Sequence, residues 1–247
     1  MLKGFMERFF GWKVILEIRE SNITVVKRKE DRILMSHNII YSKLSDGSIY
    51  THSYWDYFLP LAAIRARPKV LVLGLAGGTI PYQMKKVFGE RVSITAVELD
   101  RNMVAASKVF LPERLDVKLE ICDAYDYVRD TREKYDLIVL DIFKRLDIPE
   151  KFRSAAFIEN AYRALTSEGV LAVNYLLSGS EVLRPRFKRR LRKRFTVYTV
   201  SNRAAFDNKI LICSKGLGRE ALLNGLRRRF PKSSESAHIM KSYLEMS

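Results

Sequence analysis

The sequence predicts an α/β fold, a doubly wound parallel sheet with a small antiparallel β extension on its N-terminal side. Three observations predict it. From Lys69 onward, short and wholly apolar runs alternate with segments of helical periodicity, the pattern of strands buried on both faces. A glycine cluster, Gly74-Leu75-Ala76-Gly77-Gly78, stands where the first of those runs gives way to a helix. Residues 12–52 instead hold closely spaced Val-, Ile- and Thr-rich runs separated by turn residues.

Taken in order, Trp12–Ile18 and Asn22–Lys27 read as strands joined through Glu20-Ser21-Asn22. Ile33–Ser36, Asn38–Tyr41 and Ser48–Thr51 follow as strands, the last after the turn signal Ser45-Asp46-Gly47. Tyr54–Arg65 reads as a helix, with Pro60 and Pro68 punctuating the passage into the main sheet. Val70–Leu75 is then the first apolar strand, followed by a helix through Met84 to Val87. Val92–Leu99, Val117–Ile121 and Leu137–Leu140 are the next strands, separated by helices at Asn102–Phe110 and Ala124–Arg129. Phe157, Ile158, Ala161, Tyr162 and Leu165 recur at helical spacing before the fifth strand, Val170–Tyr175. Glu181–Arg194 is a helix, and Thr196–Val200 and Lys209–Cys213 finish as strands.

The chain has 247 residues, 47% of them hydrophobic, enough to bury one sizeable core. It contains no apolar run of membrane-spanning length, so no membrane segment is expected. Met1–Gly11 alternates Phe and Leu with Lys3, Glu7 and Arg8 and lacks the features of a secretion signal. Trp12 and the Phe9-Phe10 pair read as packing residues. Cys122 and Cys213 sit in apolar strand-like runs with no CxxC or His neighbour, which reads as reduced, buried thiols, no metal site and a cytoplasmic protein. His37, His52 and His238 are isolated and have no triad or metal spacing. The net charge of +16 favours anionic partners such as nucleic acid, phosphate or acidic lipid, against the plainer reading of a solvated surface.

The glycine cluster lets backbone approach a ligand, and the helix that follows offers free N–H groups and positive potential. Gly74, Ala76, Gly77 and Gly78 are therefore assigned to a nucleoside cofactor site. Glu98, at the end of the second main-sheet strand, is placed to accept the two ribose hydroxyls, and Asp123, after the third, to meet an adenine amino group, with Ala124 beside it. Three such features at the ends of three successive strands point to a ligand more strongly than one glycine loop does. The plainer alternative is a tight turn and two surface acids.

The motifs "VLVLGLAGG" (70–78), "AVELDRNMVAASKVFLP" (96–112), "ICDAYDYV" (121–128) and "YDLIVLDIF" (135–143), with "HSYWDYFLPL" (52–61) ahead of them, resemble the spermidine synthase (polyamine aminopropyltransferase) family. The likeness spans about residues 12–213 and is specific as a set. It implies a Rossmann-like fold of the class I methyltransferase type, with S-adenosylmethionine or its decarboxylated form as donor, no metal, and a small-molecule acceptor. It implies that Asp141 orients and deprotonates the attacking amine, and that Tyr54, with Trp55 beside it, contacts the acceptor. The plainer alternative for Asp141 is a strand-end residue capping the next turn. Dimers are common in the family, so a homodimer is among the expectations. The implied divisions are residues 1–53 for the β extension, 54–216 for the catalytic domain and 217–247 for a basic helix and tail.

Two departures from the family pattern bear on chemistry. The loop position that carries Asp in a GDGG pattern, where it binds the aminopropyl ammonium, is Ala76. The second Asp of a DSSD pattern, which holds the polyamine, is Lys144. Both changes point away from classical putrescine aminopropylation: Lys144 opposes a cationic acceptor, and Ala76 relaxes discrimination against ordinary S-adenosylmethionine, whose carboxylate an Asp there repels. Aminopropyl transfer is thus the activity the resemblance implies and methyl transfer the one the departures permit. Asp46, Asp56 and Asp147 are candidates for a compensating acid. Residues 184–194 form one basic segment and 219–230 a second, together a possible nucleic-acid footprint. A solvated basic face is the alternative, as is a degenerate, non-catalytic nucleoside-binding protein. No Asn/Asp-Pro-Pro-Tyr motif of a base-amino methylase follows the fourth strand.

Overall fold

The computed structural model describes residues 11–144, 147–176, 183–201 and 208–247. The Phe9-Phe10 pair and the start of the predicted helix at Glu181 lie outside the described residues.

The N-terminal part is a four-stranded antiparallel meander of β1 (Lys13–Ile18), β2 (Ile23–Arg28), β3 (Asp31–Ser36) and β4 (Ile39–Leu44). The β3–β4 hairpin turns on His37 and Asn38, with φ of 49° and 63°, the doubly left-handed geometry that matches strand twist. Alternation sends Ile23, Val25, Leu34 and Leu44 to one face, where they pack on Met103, Ala106 and Phe110 of a main-domain helix. The predicted strand Ser48–Thr51 does not form; only the single bridge Ser45 to Ser48 is made. Side chains take the backbone donors there: Tyr50 N–H goes to the Ser48 hydroxyl, and Thr51 N–H to the Asp56 carboxylate at 2.9 Å. Tyr54–Arg65 is likewise not an α-helix but two 3₁₀ turns, Tyr54–Phe58 and Pro60–Ile64. Pro60 has no N–H to continue the first turn, so the segment restarts at it.

Seven strands form the main sheet: β5 (Lys69–Leu73), β6 (Ser93–Glu98), β7 (Lys118–Ile121), β8 (Tyr135–Leu140), β9 (Leu165–Leu176), β10 (Thr196–Ser201) and β11 (Asn208–Ser214). Their order is β10-β11-β9-β8-β5-β6-β7. β5 to β9 pair in parallel, whereas β11 runs antiparallel to both β9 and β10. The sheet is therefore mixed, not wholly parallel. The chain between Ser201 and Asn208 is too short for the crossover helix that a parallel pair requires.

Five helices alternate with the strands: α1 (Thr79–Phe88), α2 (Arg101–Phe110), α3 (Ala124–Asp130), α4 (Ala155–Ala164) and α5 (Leu183–Leu191). Side chains of β8 alternate across the sheet. Leu137 and Val139 join one core cluster, with Met84 of α1 and the two 3₁₀ turns, while Ile138 and Leu140 join the other, with Val128 of α3, Phe157 of α4 and Phe187 of α5. Apolar runs without alternation arise because both faces are covered, and each such buried side chain contributes about 1.5–3 kcal/mol. Two more helices follow, α6 (Arg219–Arg229) and α7 (Ser234–Leu244). The segment predicted as a tail after the basic helix is thus helical, started by the Ser233 side chain accepting the Ser236 N–H. Leu222, Leu223 and Leu226 of α6 pack with the α1 side of the core, while Leu191 and Phe195 after α5 pack with the other. The two basic segments therefore lie on opposite faces of the sheet and do not make one footprint. Among the described residues no helix is long and apolar enough to cross a membrane.

Candidate functional site

The strand order reverses beside β5, which places β6 and β7 on one side and β8 and β9 on the other. Such a reversal opens a crevice beyond the carboxyl ends of the parallel strands. A cavity of about 220 Å³ lies there, lined among others by Gly74 and Ala76 after β5, Glu98 ending β6, Asp123 and Ala124 after β7, and Asp141 after β8.

Gly74 has φ +89°, and a Cβ placed on it falls 2.5 Å from the Asp141 carbonyl oxygen, so only glycine lets the ends of β5 and β8 meet. Ala76 holds a left-handed φ of 48° without being glycine, a conformation that costs an L-residue roughly 1–2 kcal/mol. Glu98 supplies compensation. One carboxylate oxygen accepts the N–H groups of Leu75 (3.1 Å) and Ala76 (3.0 Å), and the other those of Leu99 (2.9 Å) and Asp100 (3.1 Å). Its four lone-pair sites are thus filled by the loop and by the approach to α2. Glu98 holds the loop as well as facing the cavity, a duty the sequence did not reveal.

The β extension clamps the same loop. Gly77 N–H donates to the Ser42 hydroxyl of β4 at 2.8 Å, and a Cβ at Gly77 falls 2.6 Å from Ser42 Cβ and 2.8 Å from a Phe110 ring carbon. Tyr41, next to Ser42, lines the cavity. Gly77→Ala is expected to destabilise the fold by about 1–3 kcal/mol through overpacking, read as a lower midpoint of thermal or urea unfolding. A variant as stable as the parent would show that the extension does not clamp the loop.

Asp123 caps α3, accepting Tyr125 N–H at 2.8 Å, and pairs with the Lys151 ammonium through its other oxygen. Burial raises its pKa, but the Lys151 contact and the Tyr125 N–H outweigh it and leave the carboxyl below the usual range. Lys151 lies 5.2 Å over the Phe152 ring, and both line the cavity with Pro149.

Asp141 sits where β5 and β8 diverge. One carboxylate oxygen accepts the Asn174 side-chain N–H at 2.7 Å and the other faces the Tyr54 hydroxyl at 3.4 Å. Asn174, buried on β9, is itself fixed by the Asn208 side chain at 2.8 Å. Burial pushes the Asp141 carboxyl up to about 6, with the Asn174 and Tyr54 hydrogen bonds pulling the other way. Burial and the neighbouring Asp141 hold the Tyr54 phenol well above its ordinary pKa, so it stays a neutral donor. A carboxylate poised this way can accept a proton near neutral pH.

The structure thus brings Gly74, Ala76, Glu98, Asp123, Ala124 and Asp141 to one cavity, with Tyr54 against Asp141. Gly78, at φ +90°, starts α1, and its N–H bonds to Leu75 O at 2.8 Å. Trp55 is 4% exposed and packs in the core against the Tyr54 ring, 4.4 Å between centroids. Lys144 is exposed, tied through its backbone to Asp147, and does not line the cavity; the lysine that does is Lys151. None of the candidate compensating acids lines it either. Asp56 is buried among Thr51 and Gln83, while Asp46 and Asp147 are exposed. Cys122 is half-buried rather than buried. The contributors missed from sequence are Asn174, Lys151, Phe152, Pro149 and Tyr41. Asn174 alone carried a signal, as a polar residue inside the apolar run Val170–Tyr175.

This architecture is Rossmann-like, of the class I methyltransferase type. A probable spermidine synthase from Corynebacterium glutamicum matches it with a TM-score of 0.70, 17% identity and coverage of 88% of this chain and 90% of that one. Human methyltransferase-like protein 13, in complex with SAH, matches with a TM-score of 0.59, 23% identity and coverage of 75% and 90%. The spermine/spermidine synthase domain model matches residues 57–178. A probable polyamine aminopropyl transferase from Bifidobacterium longum is 27% identical over 158 residues, covering 62% of this chain and 35% of the relative. Over residues 57–178 the chain is thus spermidine synthase-like, a divergent relative of the spermine/spermidine synthase family. It spans between 35% and 62% of the length of the first four curated relatives.

Proposed function

We propose that the chain is an S-adenosylmethionine-type alkyl transferase in which Asp141 takes the proton of an amine nucleophile. The carrying observation is one carboxyl, raised to about 6, at the switch-point crevice between the glycine loop and β9. S-adenosylmethionine or its decarboxylated form, when bound, supplies an electrophilic carbon on a sulfonium. The fit to an adenosyl nucleoside is chemical: apolar walls from Val97, Ala124, Ile142 and Phe152 separate two acceptor groups, Glu98 and Asp123. Glu98 takes ribose hydroxyls in exchange for amide bonds, and Asp123 takes the adenine amino group in exchange for Lys151. An amine arrives as ammonium and must shed a proton to react. Asp141 accepts it, while Asn174 and Tyr54 hold the two carboxylate oxygens in place.

Family likeness supports aminopropyl transfer as the inherited reaction. The cavity argues for a narrower acceptor. Three acids line it, and each is engaged: Glu98 by four amides, Asp123 by Lys151, Asp141 by Asn174 and Tyr54. Neither the donor's primary ammonium nor the distal ammonium of a diamine meets an unengaged carboxylate, and Ile142 and Phe143 present apolar surface. The acceptor class is therefore an amine with an uncharged remainder, and ordinary S-adenosylmethionine is tolerated as donor. The test incubates the protein with each donor against putrescine and n-butylamine and measures alkylated products by mass spectrometry. Butylamine is expected to be alkylated several-fold more efficiently than putrescine. Efficient spermidine formation from putrescine would show that an acid has been overlooked. Tight nucleoside binding with no alkylated product would favour the non-catalytic alternative.

A further inference from the structure

The densest basic run in the sequence lies at α5, yet the structure builds a basic concavity elsewhere. A groove of about 810 Å³ runs between residues 64–67 and α6, and it is lined by Arg65, Arg67, Arg227, Arg228 and Arg229, with Glu168 as its one acid. Arg65 is compensated, by Asp136 at 2.9 Å and Glu168 at 3.0 Å. Arg229 is occupied with the Ala63 and Ile64 carbonyls. Arg67, Arg227 and Arg228 are exposed and make no ion pair among the described residues, so three guanidinium groups converge on one concave surface uncompensated. Holding like charges together costs free energy unless an anion is shared between them.

The groove's chemistry selects the anion. No aromatic side chain lines it, so it lacks the platform on which single-stranded bases stack. Guanidinium forks without aromatic partners suit phosphates on a backbone whose bases are already paired. We infer that this groove binds the phosphate backbone of double-stranded nucleic acid without regard to sequence. Its place in the fold also says what the contact does. Arg65 and Arg67 precede the first residue of β5, and Glu168 lies in the N-terminal half of β9, so the groove is at the edge opposite the donor cavity. The five residues of β5 alone put about 16 Å of sheet between the two. The duplex is an anchor, not the alkyl acceptor, and the inference stands apart from the proposed reaction.

The test is fluorescence anisotropy with a short labelled DNA duplex at 50 and 200 mM salt. Three phosphate contacts give a log–log salt slope of about −2.7, hence about 40-fold weaker binding at the higher salt. The variant Arg67→Glu/Arg227→Glu/Arg228→Glu is expected to lose tenfold or more in affinity. Arg186→Glu/Arg189→Glu/Arg192→Glu on and after α5 changes net charge equally and is expected to stay within about threefold of the parent. Thermal unfolding checks that both variants fold; where the Glu triple does not, the Gln triple replaces it. Absence of duplex binding at 50 mM salt, equal losses in the two triples, or tighter binding of the single strand would each overturn the inference.

Discussion

Replacing Asp141 with Asn is expected to lower kcat by about 10²–10⁴-fold while leaving donor affinity within a few-fold of the parent. Asn keeps the shape of the side chain and still accepts from Asn174, but it cannot take a proton. The pH profile adds a second signature. Catalysis requires the carboxylate, and burial sets its pKa at about 6, so parental activity should rise between pH 5 and 7 with a midpoint near 6. The Asn variant should lack that limb. Stability supplies a control with the opposite sign. A carboxyl whose folded pKa lies above its unfolded value contributes stability below the unfolded pKa and loses it as pH rises through the folded one. At pH 7 and above, Asp141→Asn should therefore be no less stable than the parent. Activity within a few-fold of the parent would remove Asp141 from the chemistry and leave it as a strand-end residue.

Truncating Glu98 to Ala should weaken adenosyl-nucleoside binding by about 5- to 150-fold, the equivalent of about 1–3 kcal/mol. The structure gives this substitution a second effect. The N–H groups of Leu75, Ala76, Leu99 and Asp100 lose their shared acceptor, and Ala76 loses what holds its left-handed backbone in place. Stability should drop as well, by a similar amount. Glu98→Gln separates the two: its carbonyl oxygen still serves one pair of amides, so stability should recover in part while ribose binding stays weak. Calorimetric titration with methylthioadenosine, paired with urea unfolding of each variant, measures both effects. Unchanged nucleoside affinity in Glu98→Ala would mean that the carboxylate serves the loop alone.

What the sequence made legible follows from which forces act locally. The main-sheet strands were visible because burial on both faces leaves no polar residue to break an apolar run, as in Val70–Leu73 or Leu137–Leu140. Strand direction was not, since β11 is as apolar as β9 and only the length of the connection fixes it. Tyr54–Ile64 carried a helix-like apolar density, yet Pro60 split it into 3₁₀ turns whose geometry depends on packing beneath the sheet. Glu98, Asp123 and Asp141 were legible because a carboxylate at the end of a buried strand has a fixed address. Their partners were not, because they come from distant segments: Lys151 from the loop after β8, Asn174 from β9. Lys144 was chosen for its nearness to Asp141 in sequence, but its backbone pairs with that of Asp147 and the exposed residue does not line the cavity.

The proposed reaction requires that the crevice beyond β5, β6, β7 and β8 hold an adenosyl sulfonium donor. Calorimetry of the parental protein with S-adenosylmethionine, its decarboxylated form and methylthioadenosine tests it most directly. One site per chain is expected for all three, with mutual competition and an affinity for S-adenosylmethionine at least equal to that for the decarboxylated donor, because Ala76 offers no anion to the aminopropyl ammonium. Absence of binding by all three compounds, or binding that Glu98→Ala and Asp123→Ala both leave unchanged, would contradict it.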